Sequence, residues 1–535
     1  MFSYCASLAK VFQKSLSRSK QGLSGALFLL GGLTLGCEAN EVTAPPTFVA
    51  LPTHQVVQVA PAPISGRSLL WVALQPLLGQ GTTSTHSAPS LRLVSAGSES
   101  LVLRDARGEV HQAPVITLTW RLVPLETPLQ LARQVAGPFA SFESAEQVAS
   151  RWRQQGADAV VAHPNDWEVW VAQGVRPLQG VDVRFWQDTV NSALQPVIEE
   201  ASGGRTLVGP VQIDAPQGLS WKGGVYLGPF QLQANAYGSW TLVEQVPLQR
   251  YLEGVVPHEI GAGAPPAALA AQTVLARTWA LANSHRFALD GYHLCSDTQC
   301  QVYSDPRQAS VGVRQAIAST AGKVLSWKQQ PINAVYHASN GGVMAAGSEA
   351  WAMQPVPYLR AELDGSAVWA DRFSLPLNKS SALSLLLDDD DGAYGKSHPR
   401  FRWTRELTAV QLQQALSSLA PSRSFLPKQL TVLERGSSGR VLALEIRGAD
   451  NQPPVVLRLD GIRRRLRQLP STLFVVQSVG GGVWKFSGGG FGHGAGLSQA
   501  GAVDLARRGW TTEQILSHYY PGTTYGPLPE LKKAL

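Results

Sequence analysis

Residues 246–281 read VPLQRYLEGVVPHEIGAGAPPAALAAQTVLARTWAL. The stretch joins two patterns. It begins at the end of a strand-rich run and finishes as a helix, for which Pro265 and Pro266 suit the first turn and the small residues behind them allow close packing. Between the two lies Glu259, flanked by Val, Pro, His and Ile where most surface glutamates keep charged company. Burial among such neighbours raises a carboxyl pKa. The competing role is a carboxylate at the start of the following helix, whose dipole would lower it.

Strand pairs with glycine turns precede this stretch, in LSWKGGVYLG (219–228) and FQLQANAYGSWTLVEQ (230–245). Further upstream, SLLWVALQPLL (68–78) reads as a strand and LRLVSAGSESLVLRDARGEV (91–110) as one or two hairpins. In 131–175 a strand, a helix with a Ser144–Gln147 capping pair, and further strands follow one another. Downstream, GIRRRLRQLPSTLF (461–474) sets four arginines on a short amphipathic helix, a solvated face or a contact for an anionic glycan. The acidic run Asp388–Asp391 reads as a solvated loop. Near the C-terminus one helix is capped near Ser498 and stopped by Gly509, and another opens with a Thr511–Gln514 capping box. The expected class is α+β: a strand-rich domain with a cleft lined by short helices, plus a small α+β subdomain at 131–175.

Composition agrees. The 535 residues are 44% hydrophobic and 16% charged, with 51 Gly and 35 Pro, which suits a globular chain of many turns and strands. Lys10, Lys14, Arg18 and Lys20 precede the apolar run 22–36, the pattern of a secretory signal. The LTLGC that ends it resembles a lipobox with Cys37 as the lipidated residue, although Thr34 stands where Leu is usual; the alternatives are ordinary cleavage nearby or an uncleaved anchor. Removing those four cations lowers the formal charge from +7 to +3, which leaves nucleic acid without its electrostatic argument as a partner. The divisions read from sequence are 1–36 signal, 37–65 Pro-rich tether, 66–204 N-terminal α+β region, and 205–535.

Four stretches of 205–525 carry a family resemblance: the quoted 246–281, CSDTQCQVYSD (295–305), AVYHASNGGVMAAGSEAWAMQPVPYLRA (334–361) and GGGFGHGAGLSQAGAVDLARRGWTTEQILSHYYPGT (488–523). Together they resemble the stage II sporulation protein D (SpoIID/LytB) family, and 131–175 is similar to SPOR glycan-binding segments. The first resemblance implies a lytic transglycosylase acting on peptidoglycan strands without stem peptides, or an enhancer of a cell-wall amidase. The signal-like segment and Cys37 imply an exported protein of the periplasm or cell envelope, held at the membrane by a lipid or N-terminal anchor. The family motif V-P-x-E falls on Glu259. One carboxyl suffices for such chemistry, because the muramic acid C6 hydroxyl replaces the water or nucleophile that other glycosidases activate with a second carboxylate. Gln272 and Arg277 are candidates for sugar hydroxyls and a lactyl carboxylate, or for bonding backbone carbonyls. Tyr336, His337, Ser339, Asn340, His493 and Gln499 are candidate site lining. No cofactor is expected. For Cys295 and Cys300 a disulfide or free thiols stand against a structural zinc with His293, a position at which some members bind the metal.

Overall fold

A computed structural model of the protein describes residues 53–54, 60–61, 69–199, 203–419, 422, 425–449 and 452–528. The signal, Cys37 and nearly all of the tether lie outside them. Two large sheets dominate. The first has the order Leu294–Cys295, Leu69–Leu78, Trp240–Pro247, Phe230–Ala234, Val211–Asp214, Leu101–Arg104 and Val110–Ala113. Leu69–Leu78 pairs antiparallel with Trp240–Pro247, Leu70 lying opposite Val246, and parallel with Leu294–Cys295. In the second sheet the long strand Val115–Phe139 is central, pairing with Leu91–Ser95, Trp167–Ala172 and Val183–Ile198.

Strands from both sides of residue 204 are hydrogen-bonded within each sheet. The boundary expected there is therefore corrected: 66–204 and 205–535 share their sheets and are not separable layers. The segment 131–175 is likewise built in. Its helix α1 (Phe142–Gln154) buries Phe142, Ala145, Val148, Ala149 and Trp152 in a cluster that includes Val243, Phe287, Tyr292 and Cys295. The cap of α1 is Ser141, whose side chain accepts from the Ser144 N–H, so the helix starts earlier than the Ser144–Gln147 pair implied.

The quoted stretch forms helix α2 (Leu248–Val256), a π-helical turn (Pro257–Gly261) and helix α3 (Pro266–Ala282). Every residue of α3 from Ala268 to Ala280 is buried. A helix buried on every side belongs in a core rather than on its surface, and the polar Gln272 and Arg277 of α3 are hydrogen-bonded there. Around α3 pack the helices of 248–256, 311–319, 499–507 and 512–519 and the strand Lys323–Trp327.

A separate cluster, with Trp403, Leu412, Phe425, Leu444, Ile446 and Phe486, lies between two three-stranded sheets from 402–489. The short helix α4 (Asp460–Arg465) edges it. Of the four arginines expected on that helix, Arg467 lies beyond its end. Helices α5 (Gln499–Arg507) and α6 (Thr512–Tyr519) follow, capped by Ser498 and by the Thr511–Gln514 box. Local side-chain chemistry set these ends, as the sequence predicts.

Candidate active site

Glu259 projects from the π-helical turn that closes α2. Fully buried Val255 and Val256 anchor the turn from behind. Because the turn ends α2 and does not open α3, Glu259 is not the helix-start carboxylate of the competing expectation.

Three segments distant in sequence hold the carboxyl. Its Oε1 accepts the Val302 N–H at 2.9 Å, and the side chains of Tyr336 and Gln499 bond to it as well. Burial pushes the Glu259 carboxyl above its ordinary range, against the opposing pull of those three hydrogen bonds. Behind them runs a directed relay: the Tyr251 hydroxyl donates to Gln301 Oε1 at 3.0 Å, and Gln301 Nε2 donates to the Tyr336 hydroxyl at 2.9 Å. Having accepted from Gln301, that hydroxyl keeps its proton to donate to Glu259.

Gln301 and Val302 sit just past the bond between Cys295 and Cys300, whose sulfurs are joined to each other. His293 is engaged on both ring nitrogens: Nδ1 accepts from the Trp71 N–H at 3.0 Å and Nε2 lies 2.9 Å from the Pro61 carbonyl. The zinc alternative at His293, Cys295 and Cys300 is accordingly not the arrangement found, since both thiols and both ring nitrogens are committed elsewhere. What the disulfide does is close the loop that presents Val302 and Gln301 to the site.

Glu259 lines a cavity of about 210 Å³ together with Tyr336, Trp279, Trp351 and His493. His493 is fixed by backbone on both sides, Nε2 toward the Tyr336 carbonyl at 2.9 Å and Nδ1 toward the Ala495 N–H at 3.2 Å. Burial lowers its pKa to about 4, so it meets the cavity as a neutral ring. Two further carboxylates line the same cavity. Glu143 is paired with Arg286, and Asp460 accepts from Arg463 at 3.0 Å and from Arg464 at 2.8 Å.

The other expected residues divide sharply. Gln499 reaches Glu259, and Gln272, fully buried behind it, accepts from Gln499 Nε2 at 3.4 Å. Arg277 is turned into the core, its Nη1 donating to the carbonyls of Thr320 and Lys323 at 2.9 and 3.0 Å. That is the carbonyl-holding role, not contact with a lactyl group. His337, Ser339 and Asn340 are buried. His337 Nδ1 lies 3.2 Å from the Ala495 carbonyl, Ser339 bridges to Phe491 through backbone, and Asn340 Nδ2 donates to Asp364 at 2.6 Å. None of these three lines the cavity. The glycines of 490–496 serve close packing: Gly494, at φ +85°, leaves the space that the Arg440 guanidinium fills.

Sequence reasoning missed Gln301, Trp351 and Asp460. Gln301 was visible in the CSDTQCQVY motif as a polar residue beside a cysteine; Arg463 and Arg464 were singled out as a charged face or glycan contact, but nothing local placed them beside Glu259.

Residues 236–327 match the family model described as Stage II sporulation protein, and residues 345–496 match a domain of unknown function, DUF8618. Stage II sporulation protein D of Bacillus subtilis (strain 168) is 29% identical over 304 residues, which cover 52% of this chain and 75% of that protein. The protein named amidase enhancer in the same organism is 28% identical over 295 residues, 51% of this chain and 40% of that protein. Glu259, both of its flanking helices and the Cys295–Cys300 loop fall within 236–327. The chain therefore carries a domain of the stage II sporulation protein (SpoIID) family.

Proposed function

We propose that the protein is an exported peptidoglycan lytic transglycosylase in which Glu259 serves first as acid and then as base. The observation that carries this reading is the division of labour among the carboxyls of the cavity. Glu143 and Asp460 are held by arginines, whereas Glu259 is shifted toward its protonated form by burial. A two-carboxylate hydrolase needs a second free group, and the partners of Glu143 and Asp460 occupy both candidates.

In the reaction, the Glu259 carboxylic acid protonates the glycosidic oxygen as the bond from the muramic acid C1 breaks. The resulting carboxylate removes the proton of the same sugar's C6 hydroxyl, and O6 closes on C1. The products are a 1,6-anhydro end and a new 4-hydroxyl; no water is consumed, Glu259 is returned protonated, and no cofactor is required. Trp279, Trp351 and Tyr336 supply apolar surface for a sugar ring. The family resemblance adds strands without stem peptides as substrate. The SPOR-like reading of 131–175 adds a second glycan contact, and Cys37 a lipid anchor. No helix among the described residues is long and apolar enough to cross a membrane.

Digestion of purified glycan strands in ¹⁸O-labelled water tests the reaction. Anhydro ends without label are expected; labelled reducing ends would mark a hydrolase instead. A second reading, that the cleft presents strands to a cell-wall amidase without cutting them, is favoured by the similarity to the protein named amidase enhancer. Under it, wild type and Glu259→Gln raise amidase turnover equally and neither forms anhydro ends.

A further inference from the structure

The 210 Å³ cavity does not end at Glu259. It adjoins a larger one of about 830 Å³, and the two share Thr298, Gln299, Arg463 and Arg464 as lining. One wall of the larger cavity comes from 138–140 and 163–167, the other from 456–470 with Arg400 and Phe491. Across both cavities seven arginines face four carboxylates. Arg286, Arg463 and Arg464 are engaged by Glu143 and Asp460. Arg465 donates to the Ser418 hydroxyl, and Arg458 lies 3.8 Å from Glu434. Arg400 and Arg467 are exposed and have no carboxylate partner among the described residues. The Arg400 guanidinium lies over the half-buried Phe491 ring at 4.2 Å from its centroid.

Such a surface suits a ligand with repeated carboxylates on a backbone that offers sugar faces. Guanidinium groups pair carboxylates in a planar fork, and an amide in the same place offers neither the charge nor the second oxygen. A glycan strand carries a free lactyl carboxylate on a muramic acid whose stem peptide has been removed, and an uncharged amide where the peptide remains. Nucleic acid offers phosphates instead, and the chain without its signal is close to neutral.

We propose that the groove carrying the exposed Arg400 and Arg467 is a carboxylate-reading extension of the Glu259 cavity, selecting glycan strands by their free lactyl groups. The inference rests on the reading that a glycan strand occupies that cavity. It assigns the selection to residues outside 236–327, in the region that matches the domain of unknown function. Arg463 and Arg464 continue the line toward Glu259 but are tied to buried Asp460, so they orient the groove's floor while the exposed arginines meet the ligand.

The test is binding by the full chain carrying Glu259→Gln, which holds strands without cutting them. The probes are peptide-free glycan strands and the same strands with their carboxylates converted to methylamides. Two or three exposed arginine–carboxylate contacts are worth about tenfold together, so the free acid is expected to bind about tenfold tighter, with the difference shrinking as salt rises. Adding Arg400→Gln and Arg467→Gln should erase the difference, and Arg400→Lys with Arg467→Lys should restore part of it. Equal binding of the two strands, a difference that survives the glutamine pair, or a short DNA duplex bound as tightly as the free acid would each overturn the proposal. Cleavage by the wild type is scored separately: a protein that prefers free-acid strands and forms no anhydro ends keeps this inference and loses the catalytic one.

Discussion

Two polar stretches of this chain face opposite ways. At Glu259 the carboxyl opens onto a cavity and draws its hydrogen bonds from Val302, Tyr336 and Gln499. From His337 to Asn340 the side chains point inward, and Asn340 joins His518 and Tyr519 on the fully buried carboxylate of Asp364. Both stretches place polar groups beside glycines or prolines, and both resemble binding motifs on paper. The difference is clearest at Asn340, whose amide is used on both sides, Nδ2 donating to Asp364 and Oδ1 accepting from the Gly342 N–H, whereas His337 keeps a buried Nε2 without a partner. A polar group satisfied within the core acts as a brace, because leaving its partner unpaired there is costly. A group with one face toward a cavity is left with chemistry to do.

Substitutions at the two stretches should therefore fail in different ways. The largest effect is expected at the open one: Glu259→Gln should keep the fold and lower the rate of anhydro-end formation by at least ~10²–10⁴, the scale of a lost general acid. Near-wild-type turnover measured on soluble strands would break the contrast. At the closed stretch, Asn340→Ala should cost about 1–3 kcal/mol of stability by removing a partner of Asp364. Denaturant unfolding reads that loss, while turnover per folded molecule stays near wild type; a rate loss without a stability loss would place Asn340 in the site after all.

Tyr336→Phe sharpens the picture at Glu259 itself. Its hydroxyl bonds to the carboxyl and holds the pKa down, so its removal should let the pKa climb. Since the acid form starts the reaction, activity falls as pH rises through this pKa, and in the variant that fall should move to higher pH. A kcat/KM profile with an unmoved limb would exclude Tyr336 from the relay. The smallest effect is on stability. Burial raises the folded-state pKa of Glu259 above its unfolded value, so its stabilising contribution is complete below the unfolded pKa and is lost as pH rises through the folded one. Glu259→Gln does not titrate. Its melting temperature relative to wild type should thus rise across that window and be flat below it; a constant difference would mean that the carboxyl is not shifted.

The Cys295–Cys300 loop and the arginine groove show where sequence stops being informative. CSDTQC favours a disulfide or free thiols over a metal, with only three local ligand candidates in sight, and the surroundings of the cysteines are set by the fold. His293, the remaining local ligand candidate, is spent on the backbone of Trp71 and Pro61, each more than 200 residues away. The arginines of 461–474 were legible as a solvated face or a contact for an anionic glycan, but not as one wall of a groove. They become a groove because residues 138–140 and 163–167 stand opposite, an encounter set by the long pairing of Val115–Phe139 with Trp167–Ala172 and Val183–Ile198.

What the sequence determined by itself was local or carried by motif. The ends of α5 and α6 follow from Ser498, Gly509, Thr511 and Gln514, because a cap satisfies backbone groups within a few residues of itself. The strand-rich α+β class follows from glycine turns and alternating runs, and the V-P-x-E motif singled out Glu259. Tertiary structure decided which candidates meet it. Gln499 arrives from 240 positions along the chain and Val302 from 43, whereas Arg277, on the helix that follows Glu259, turns away to the carbonyls of Thr320 and Lys323. The pKa of Glu259 belongs to the same category, since burial is a property of everything packed around a group and not of the residues beside it in the chain.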